Sequence, residues 1–507
     1  MGSVAMMDAV AAISPLNRGH AKPLRIAILG AGFSGMGMAI TLKKRVLDNF
    51  TIYEKADEVG GTWRENIYPG VACDVPSHLY SFSFEPNPDW SKRFSPGGEI
   101  WDYMKRVARK HDLYARTRFG KKVVRIRHDG AKWTIDFADG SKADADIVVS
   151  GLGGLHEPNI PNFDGQENFR GPIFHTALWR EDVDLKGKRV AIIGSAASAV
   201  QVVPEIAPIV ARLDIFQRTA NWIMPRPSYA YPDWARGLFR SVPPLARLYR
   251  GFYFSMMEWR HKAFEGGDNY VKRFVTKTFM KHMDEQVKDP ALRARLTPSY
   301  PVGCKRILIS DRYLPAVQRD NVDIVSDPIE RFEKSGVRTK DGRLHEADVI
   351  ILATGFRPFN LLDSIEVVGP AGMTLAETWK GGVTAHRTVA VPGFPNFFML
   401  LGPNSGLGHN SVILMIEAQV NYVMRLIEEM RAQEAASIEP TETAAAAYDR
   451  RLQNELKNTV WAGGCQSWYI DATGRNYTLY PHPVRTFIRE MRAPELAEYS
   501  LRTTVAG

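Results

Sequence analysis

Leu24-Arg25-Ile26-Ala27-Ile28-Leu29-Gly30-Ala31-Gly32-Phe33-Ser34-Gly35 is the stretch on which the fold turns. The apolar run from Ile26 to Leu29 has the character of a buried parallel strand. The uncharged stretch continues to Leu42, just short of a membrane span, and its glycines mark a strand, a tight turn and a helix instead. In that motif Gly30 permits the turn, and Gly32 lets a backbone approach a pyrophosphate seated at the N-terminus of a helix opened by Phe33, Ser34 and Gly35. Downstream, Thr51-Ile52-Tyr53-Glu54-Lys55 puts Glu54 at the end of an apolar strand, where a carboxylate can accept hydrogen bonds from a ribose diol. A glycine turn with an exposed acid is the alternative. The combined pattern predicts a dinucleotide site.

A second copy of the pattern follows. Lys188-Arg189-Val190-Ala191-Ile192-Ile193 leads into Gly194-Ser195-Ala196-Ala197-Ser198-Ala199. Two of the three glycines are missing. Ala196 adds a methyl group where a pyrophosphate would approach, and Ala199 fits the permitted position. The next apolar strand ends in Phe216-Gln217-Arg218-Thr219. It has Arg218 in place of an acid, and a guanidinium there can grip a 2′-phosphate, which favours NADPH over NADH. A surface arginine is the alternative. Each copy closes with a polar hairpin pattern and another buried strand, near Asp146-Ile147-Val148-Val149-Ser150 and Asp348-Val349-Ile350-Ile351-Leu352. Two dinucleotides in one chain imply hydride transfer from a nicotinamide to a second redox cofactor, with FAD on the first unit as acceptor. The expected fold class is therefore α/β, with two Rossmann-like dinucleotide-binding domains and a helical insertion.

Working outward, the expected boundaries are a leader over 1–22 and a first part of the FAD-binding domain over 23–157. A linker and the NADP-binding domain follow over 158–220, then a helical insertion over 221–301. The NADP-binding domain resumes over 302–352, and 353–507 returns to the first unit, with a helix near Val412 to Arg431. Pro158, Pro161 and Gly165 break the linker. The insertion is rich in aromatic residues, Met and Arg. It reads as an intramolecular lid or substrate-lining segment, with a membrane-surface helix as the alternative. At 507 residues, with 45% hydrophobic and 24% charged residues, the chain is an ordinary globular protein. Its formal charge of +9 is spread without a dense basic run, which argues against a nucleic-acid partner. The 3 cysteines, at 73, 304 and 465, are too few and scattered for a disulfide framework, a redox pair or a cysteine-based metal site. That favours a reduced, cytoplasmic setting. The leader is a poor signal peptide, because Asp8 interrupts a weakly apolar stretch and no charged start precedes it. Oligomeric state is not legible.

Two further motifs are more specific. Gly60-Gly61-Thr62-Trp63 is followed by Tyr68-Pro69-Gly70 and Asp74, and Phe169, Gly171, His175 and Trp179 are spaced through the linker. With QRTANW, CKRILISD, ATGF, LGPNS and CQSWY, they make a chain that resembles the type I Baeyer–Villiger monooxygenases over nearly its whole length after the leader. The resemblance implies an FAD- and NADPH-dependent enzyme using O2 to insert oxygen beside a ketone carbonyl through an anionic C4a-peroxyflavin. It implies that Arg306 stabilises the anionic oxygen species and that Asp74 is its carboxylate partner. A structural ion pair is the alternative for these two. It further implies that Lys305 joins Arg218 and Thr219 around the 2′-phosphate, and that Ala72, Cys73 and Asp74 approach the nicotinamide. Thr62, Trp63, Tyr80 and Val123 match positions near the FAD, with plain packing as the alternative. Trp468 matches a tryptophan that contacts NADP, with a buried core aromatic as the alternative. His175 is expected to support domain positioning, not proton transfer. No metal is implied. One departure is Arg180 after Trp179, which favours the related monooxygenases that oxygenate nitrogen and sulfur. A disulfide reductase is excluded by the lack of a nearby cysteine pair.

Overall fold

The computed structural model describes residues 23–154, 157–357, 365–463, 469–471 and 473–503. Two five-stranded parallel sheets organise them. In the first, Phe397–Met399, Ile147–Ser150, Ile26–Leu29, Phe50–Tyr53 and Thr117–Arg118 lie side by side. In the second, Ile173–His175, Val349–Leu352, Arg189–Ile193, Arg212–Phe216 and Val322–Val325 repeat that order. Strand by strand the units match, and each takes its outermost strand from a distant part of the chain. In the first it comes from the C-terminal third, in the second from the linker.

The matching extends to the turns. The N–H of Gly30 donates to the Tyr53 carbonyl at 2.8 Å, and that of Gly194 to the Phe216 carbonyl at 3.0 Å. The N–H groups of Gly151 and Ala353 donate back to Leu29 and Ile193, each at 2.8 Å. Gly30 and Gly194 have φ of +93° and +110°, in the region that disfavours a side chain. A Cβ on Gly194 would also run into the Ala353 carbonyl. The central strands Ile26–Leu29, Ile147–Ser150 and Val349–Leu352 are buried at every residue, because helices and hairpins cover both faces. The polar hairpin patterns form antiparallel sheets, Val123–His128 with Trp133–Phe137 and Lys142–Ala145, and Ile329–Glu333 with Gly336–Thr339 and Leu344–Glu346.

Between residues 221 and 301 the helices are Asp233–Ser241, Pro243–Arg260, Tyr270–Gln286 and Pro290–Leu296. Asn269 and Asp289 start the last two by accepting the first backbone N–H groups on their side-chain oxygens. The segment packs on both units. Tyr253, Phe254 and Met257 join the core around the first sheet, and Val271, Phe279 and Met283 join that around the second. Arg250, 5% exposed, fastens it further. Its Nη1 donates to the carbonyls of His78, Leu79 and Ser81 at 3.0, 2.9 and 3.0 Å. The helix Val412–Ala432 packs its buried face on Phe33–Lys44.

The cysteine reading needs one correction. Cys304 is disulfide-bonded, while Cys73 is free and buried. Separation along the chain says nothing about distance in the fold, so scattered cysteines were no argument against a cross-link. Among the described residues no helix is long and apolar enough to cross a membrane, and no group of three or more His, Cys, Asp or Glu could hold a metal ion.

Candidate active site

Both glycine turns end at a helix whose start carries no side-chain cap and no acid in its first turn, Phe33–Lys44 and Ala197–Ile206. The positive end of each helix dipole is left without a counter-charge, which suits a phosphate group. Phe33 and Ser34 are buried. Gly35 packs so closely on the Gly30 carbonyl that a Cβ would collide with it, and a Cβ on Gly61 would sit 3.2 Å from the Gly32 Cα. Two backbones thus meet beside the first turn without intervening side chains. Glu54 is buried and holds the turn itself: it accepts the N–H of Ala31 at 2.8 Å and of Ala56 at 3.0 Å, and pairs with Arg64 at 3.3 Å.

Trp63, Tyr80 and Phe33 form one aromatic group next to this turn. The Trp63 indole N–H donates to the Tyr80 hydroxyl at 3.2 Å, and the Trp63 and Phe33 rings meet Tyr80 edge-on at 5.5 and 5.6 Å. Burial raises the Tyr80 pKa, so the phenol stays protonated. Thr62 is exposed at the start of the short helix Thr62–Glu65. Val123 is buried in its antiparallel sheet, packed with Leu29 and Trp133.

In the second unit Ser195 is buried. Its hydroxyl donates to the Thr219 carbonyl at 3.4 Å, while the Asn221 side chain donates to the Ser195 hydroxyl at 3.2 Å and carbonyl at 2.9 Å. Ala196 is exposed. Arg218, exposed, and Lys305 are brought together across 87 positions of sequence, close enough for Arg218 to lower the pKa of Lys305, burial being the larger cause. Two neighbouring cations whose side chains make no ion pair among the described residues suit a phosphate.

The stretch from Tyr68 to Asp74 joins the units. Tyr68 is buried in the second core and Cys73 in the first. The Tyr68 hydroxyl donates to the Gln201 side chain at 3.0 Å, and Gln201 donates to the Ala72 carbonyl at 2.9 Å. A hydrogen bond with Ser198 also acts on Tyr68. Gly70, at φ +81°, leans on Gln201 so closely that a Cβ would strike its carbonyl. At the end of this seam Arg306 donates to Asp74. The Asp74 charge raises the Arg306 pKa further above its ordinary range, so the guanidinium is permanently charged. Its side chain keeps 40% of its surface open, so an edge of the cation is available to a ligand. Next to it, desolvation and the Asp74 charge push the Cys73 thiol far up, which removes it as a nucleophile.

His175 ends the edge strand Ile173–His175 and accepts the Ala177 N–H on Nδ1 at 3.0 Å. Burial lowers its pKa to about 4, leaving a neutral ring at the edge of the second sheet. Arg180 pairs with Asp182 on the surface and gives no support to nitrogen or sulfur chemistry. Trp468 lies outside the described residues. The Tyr68–Gln201–Ala72 relay escaped the sequence reading, because Gln201 carries no motif signal and meets its partners only in the folded chain. The same holds for Arg226 and Arg260, on which the Asp74 charge acts.

A profile of the flavin-binding monooxygenase-like family matches residues 23–240. The chain is 44% identical to a Baeyer–Villiger monooxygenase of Streptomyces coelicolor, covering 94% of this chain and 92% of that one. It is 42% identical to a Baeyer–Villiger monooxygenase of Pseudomonas aeruginosa, covering 96% and 92%. A closed crystal structure of cyclohexanone monooxygenase superimposes with a TM-score of 0.85 at 26% identity, over 95% of this chain and 99% of that one. An oxidised steroid monooxygenase bound to NADP superimposes with a TM-score of 0.82 at 29% identity, over 94% and 99%. Matched over more than nine-tenths of its length at that level of identity, the chain belongs to the Baeyer–Villiger monooxygenase family.

Proposed function

We infer that this protein is an FAD- and NADPH-dependent Baeyer–Villiger monooxygenase that inserts one atom of O2 beside a ketone carbonyl, giving an ester or lactone. When bound, the two cofactors supply the reducing hydride and the activated oxygen. The observation that carries the reading is the Arg306–Asp74 pair at the seam of two nucleotide-binding units.

The chain's own residues have these roles. Gly30, Gly32, Phe33, Ser34 and Gly35 seat the FAD pyrophosphate at a helix N-terminus, and Glu54 shapes that turn and faces the ribose. Thr62, Trp63 and Tyr80 frame the flavin, and Val123, in the antiparallel sheet against Leu29, supports the glycine turn. Gly194, Ser195, Ala196 and Ser198 seat the NADPH pyrophosphate, while Arg218, Thr219 and Lys305 hold its 2′-phosphate. Ala72 and Cys73 present backbone towards the nicotinamide. Asp74 fixes the Arg306 guanidinium, whose open edge stabilises negative charge on oxygen as the ketone is attacked. The helical segment between 221 and 301, packed on both units, shields this place from water.

The test is purified protein with FAD, NADPH and labelled O2, offered a panel of ketones and thioethers. Labelled esters or lactones by mass spectrometry are expected. Sulfoxides or N-oxides alone would overturn the reading in favour of a heteroatom monooxygenase.

A further inference from the structure

Three guanidinium groups with no role in the chemistry above lie near one another, Arg93, Arg226 and Arg260; the Asp74 charge acts on Arg226 and Arg260, and the Arg93 charge on Arg260. The Arg226 Nη2 donates to the Cys73 carbonyl at 2.9 Å. Arg226 and Arg93 each lie 5.2 Å from the centre of the Phe94 ring. Arg93 also lies 5.3 Å from the Tyr253 ring and donates to the Pro227 carbonyl at 3.2 Å. Arg260 stands on the Tyr253 helix and donates to the Met257 sulfur at 3.4 Å.

With Arg306, four cations share this place. The carboxylate acting on Arg226 and Arg260 is Asp74, already held by Arg306; Arg226 also feels Asp311, which accepts its backbone N–H at 2.6 Å. Among the described residues the side chains of Arg93, Arg226 and Arg260 make no ion pair, and the Nε atoms of Arg93 and Arg226 are buried without a hydrogen-bond partner. Burial lowers the proton affinity of both Arg226 and Arg260. Arg260 nevertheless keeps an exposed surface. Desolvated cations without partners are costly unless an anion joins them. The cofactor phosphates have seats elsewhere, at the two glycine turns and at Arg218 with Lys305. Arg260, moreover, belongs to the helical segment outside both nucleotide-binding units. The remaining source of an anion is the substrate.

We propose that Arg260, with Arg226 and Arg93 behind it, forms a subsite for a carboxylate carried by the ketone, so that the protein prefers keto acids to neutral ketones. The proposal rests on the oxygen-insertion reading above. A guanidinium grips a carboxylate bidentately, and because the charge of the same Asp74 acts on both Arg260 and Arg306, an acid held by one has its carbonyl within reach of the other.

The experiment uses the holoenzyme with NADP and methyl-ketone carboxylic acids of increasing chain length, each with its methyl ester. Equilibrium dialysis is expected to show the acid of fitting length bound about 10- to 100-fold more tightly than its ester, as for a hydrogen-bonded charge. The acid-to-ester ratio should collapse towards one in Arg260→Met and partly return in Arg260→Lys. A ratio near one in the unaltered protein overturns the subsite. So does an unchanged ratio in Arg260→Met, or a loss confined to NADPH affinity, which would assign the cation to a cofactor phosphate. Mass spectrometry on the same samples separates the two readings. Acid-selective binding without oxygen insertion upholds the subsite and overturns the activity, and oxygen insertion without selectivity does the reverse.

Discussion

Arg306 and Asp74 meet across the seam of the two nucleotide-binding units, so a residue that follows the second unit's insertion is held by one that follows the first unit's glycine turn. The pair therefore exists only when the units are docked. Replacing Arg306 by Ala should cut oxygen insertion by about 100-fold or more while FAD stays bound. Asp74→Ala should have a smaller effect, because the cation remains but loses its orientation. Product yield per NADPH consumed, with flavin absorbance after gel filtration, checks both. Normal ester formation in Arg306→Ala would remove its assigned role.

Arg218 lies close enough to Lys305 to lower its pKa, and among the described residues neither side chain makes an ion pair, so the ligand that suits them is a phosphate. In Arg218→Ala the KM for NADPH should rise about 10- to 100-fold while that for NADH changes little. Equal losses for both nucleotides would place Arg218 away from the 2′-phosphate.

Gly70 combines a φ of +81° with direct contact to the Gln201 backbone. Gly70→Ala is expected to cost about 1–3 kcal/mol and to shift the seam. A lower melting temperature accompanied by more hydrogen peroxide per NADPH would mark loosened docking. A variant indistinguishable from the parent would show that the seam tolerates the shift.

Four histidines, His78, His175, His261 and His386, are each pushed by burial to about 4 from an ordinary 6.5. The unfolded chain takes up protons below pH 6.5 that the folded chain refuses until about pH 4, so this contribution is fully present above 6.5 and is lost as pH falls to 4. The melting temperature should fall over that window, and less steeply in His175→Gln. A flat profile between those values would contradict the burial of these rings.

Arg250 bridges the Pro243–Arg260 helix to three carbonyls between His78 and Ser81. Arg250→Met leaves those acceptors without their charged donor and should destabilise the protein by about 2–4 kcal/mol. Because Tyr80 lies inside the same stretch, FAD should also dissociate faster, as flavin fluorescence would show.

Much of this architecture is written locally. Ile26–Leu29 followed by Gly30, and Arg189–Ile193 followed by Gly194, announce two strand–turn–helix units because an all-apolar strand and a positive-φ glycine are properties of a few neighbouring residues. The long helix near Val412 was equally visible and runs to Ala432. The bond at Cys304, the surface pairing of Arg180 with Asp182, and the fastening of Tyr68 and Gly70 onto Gln201 were not. Each is decided by what a side chain meets, not by what adjoins it in the chain.

The sequence by itself determined the two nucleotide-binding units, the cofactor preference suggested by Arg218, and the pairing of Arg306 with Asp74 through resemblance. Only the tertiary structure decided that Arg93, Arg226 and Arg260 come together near that pair, their side chains making no ion pair among the described residues. Strand and turn preferences act over a few bonds and leave a periodic trace. A charge cluster is assembled by the docking of three separate segments, and its energy depends on distances and solvent access that no stretch of sequence contains.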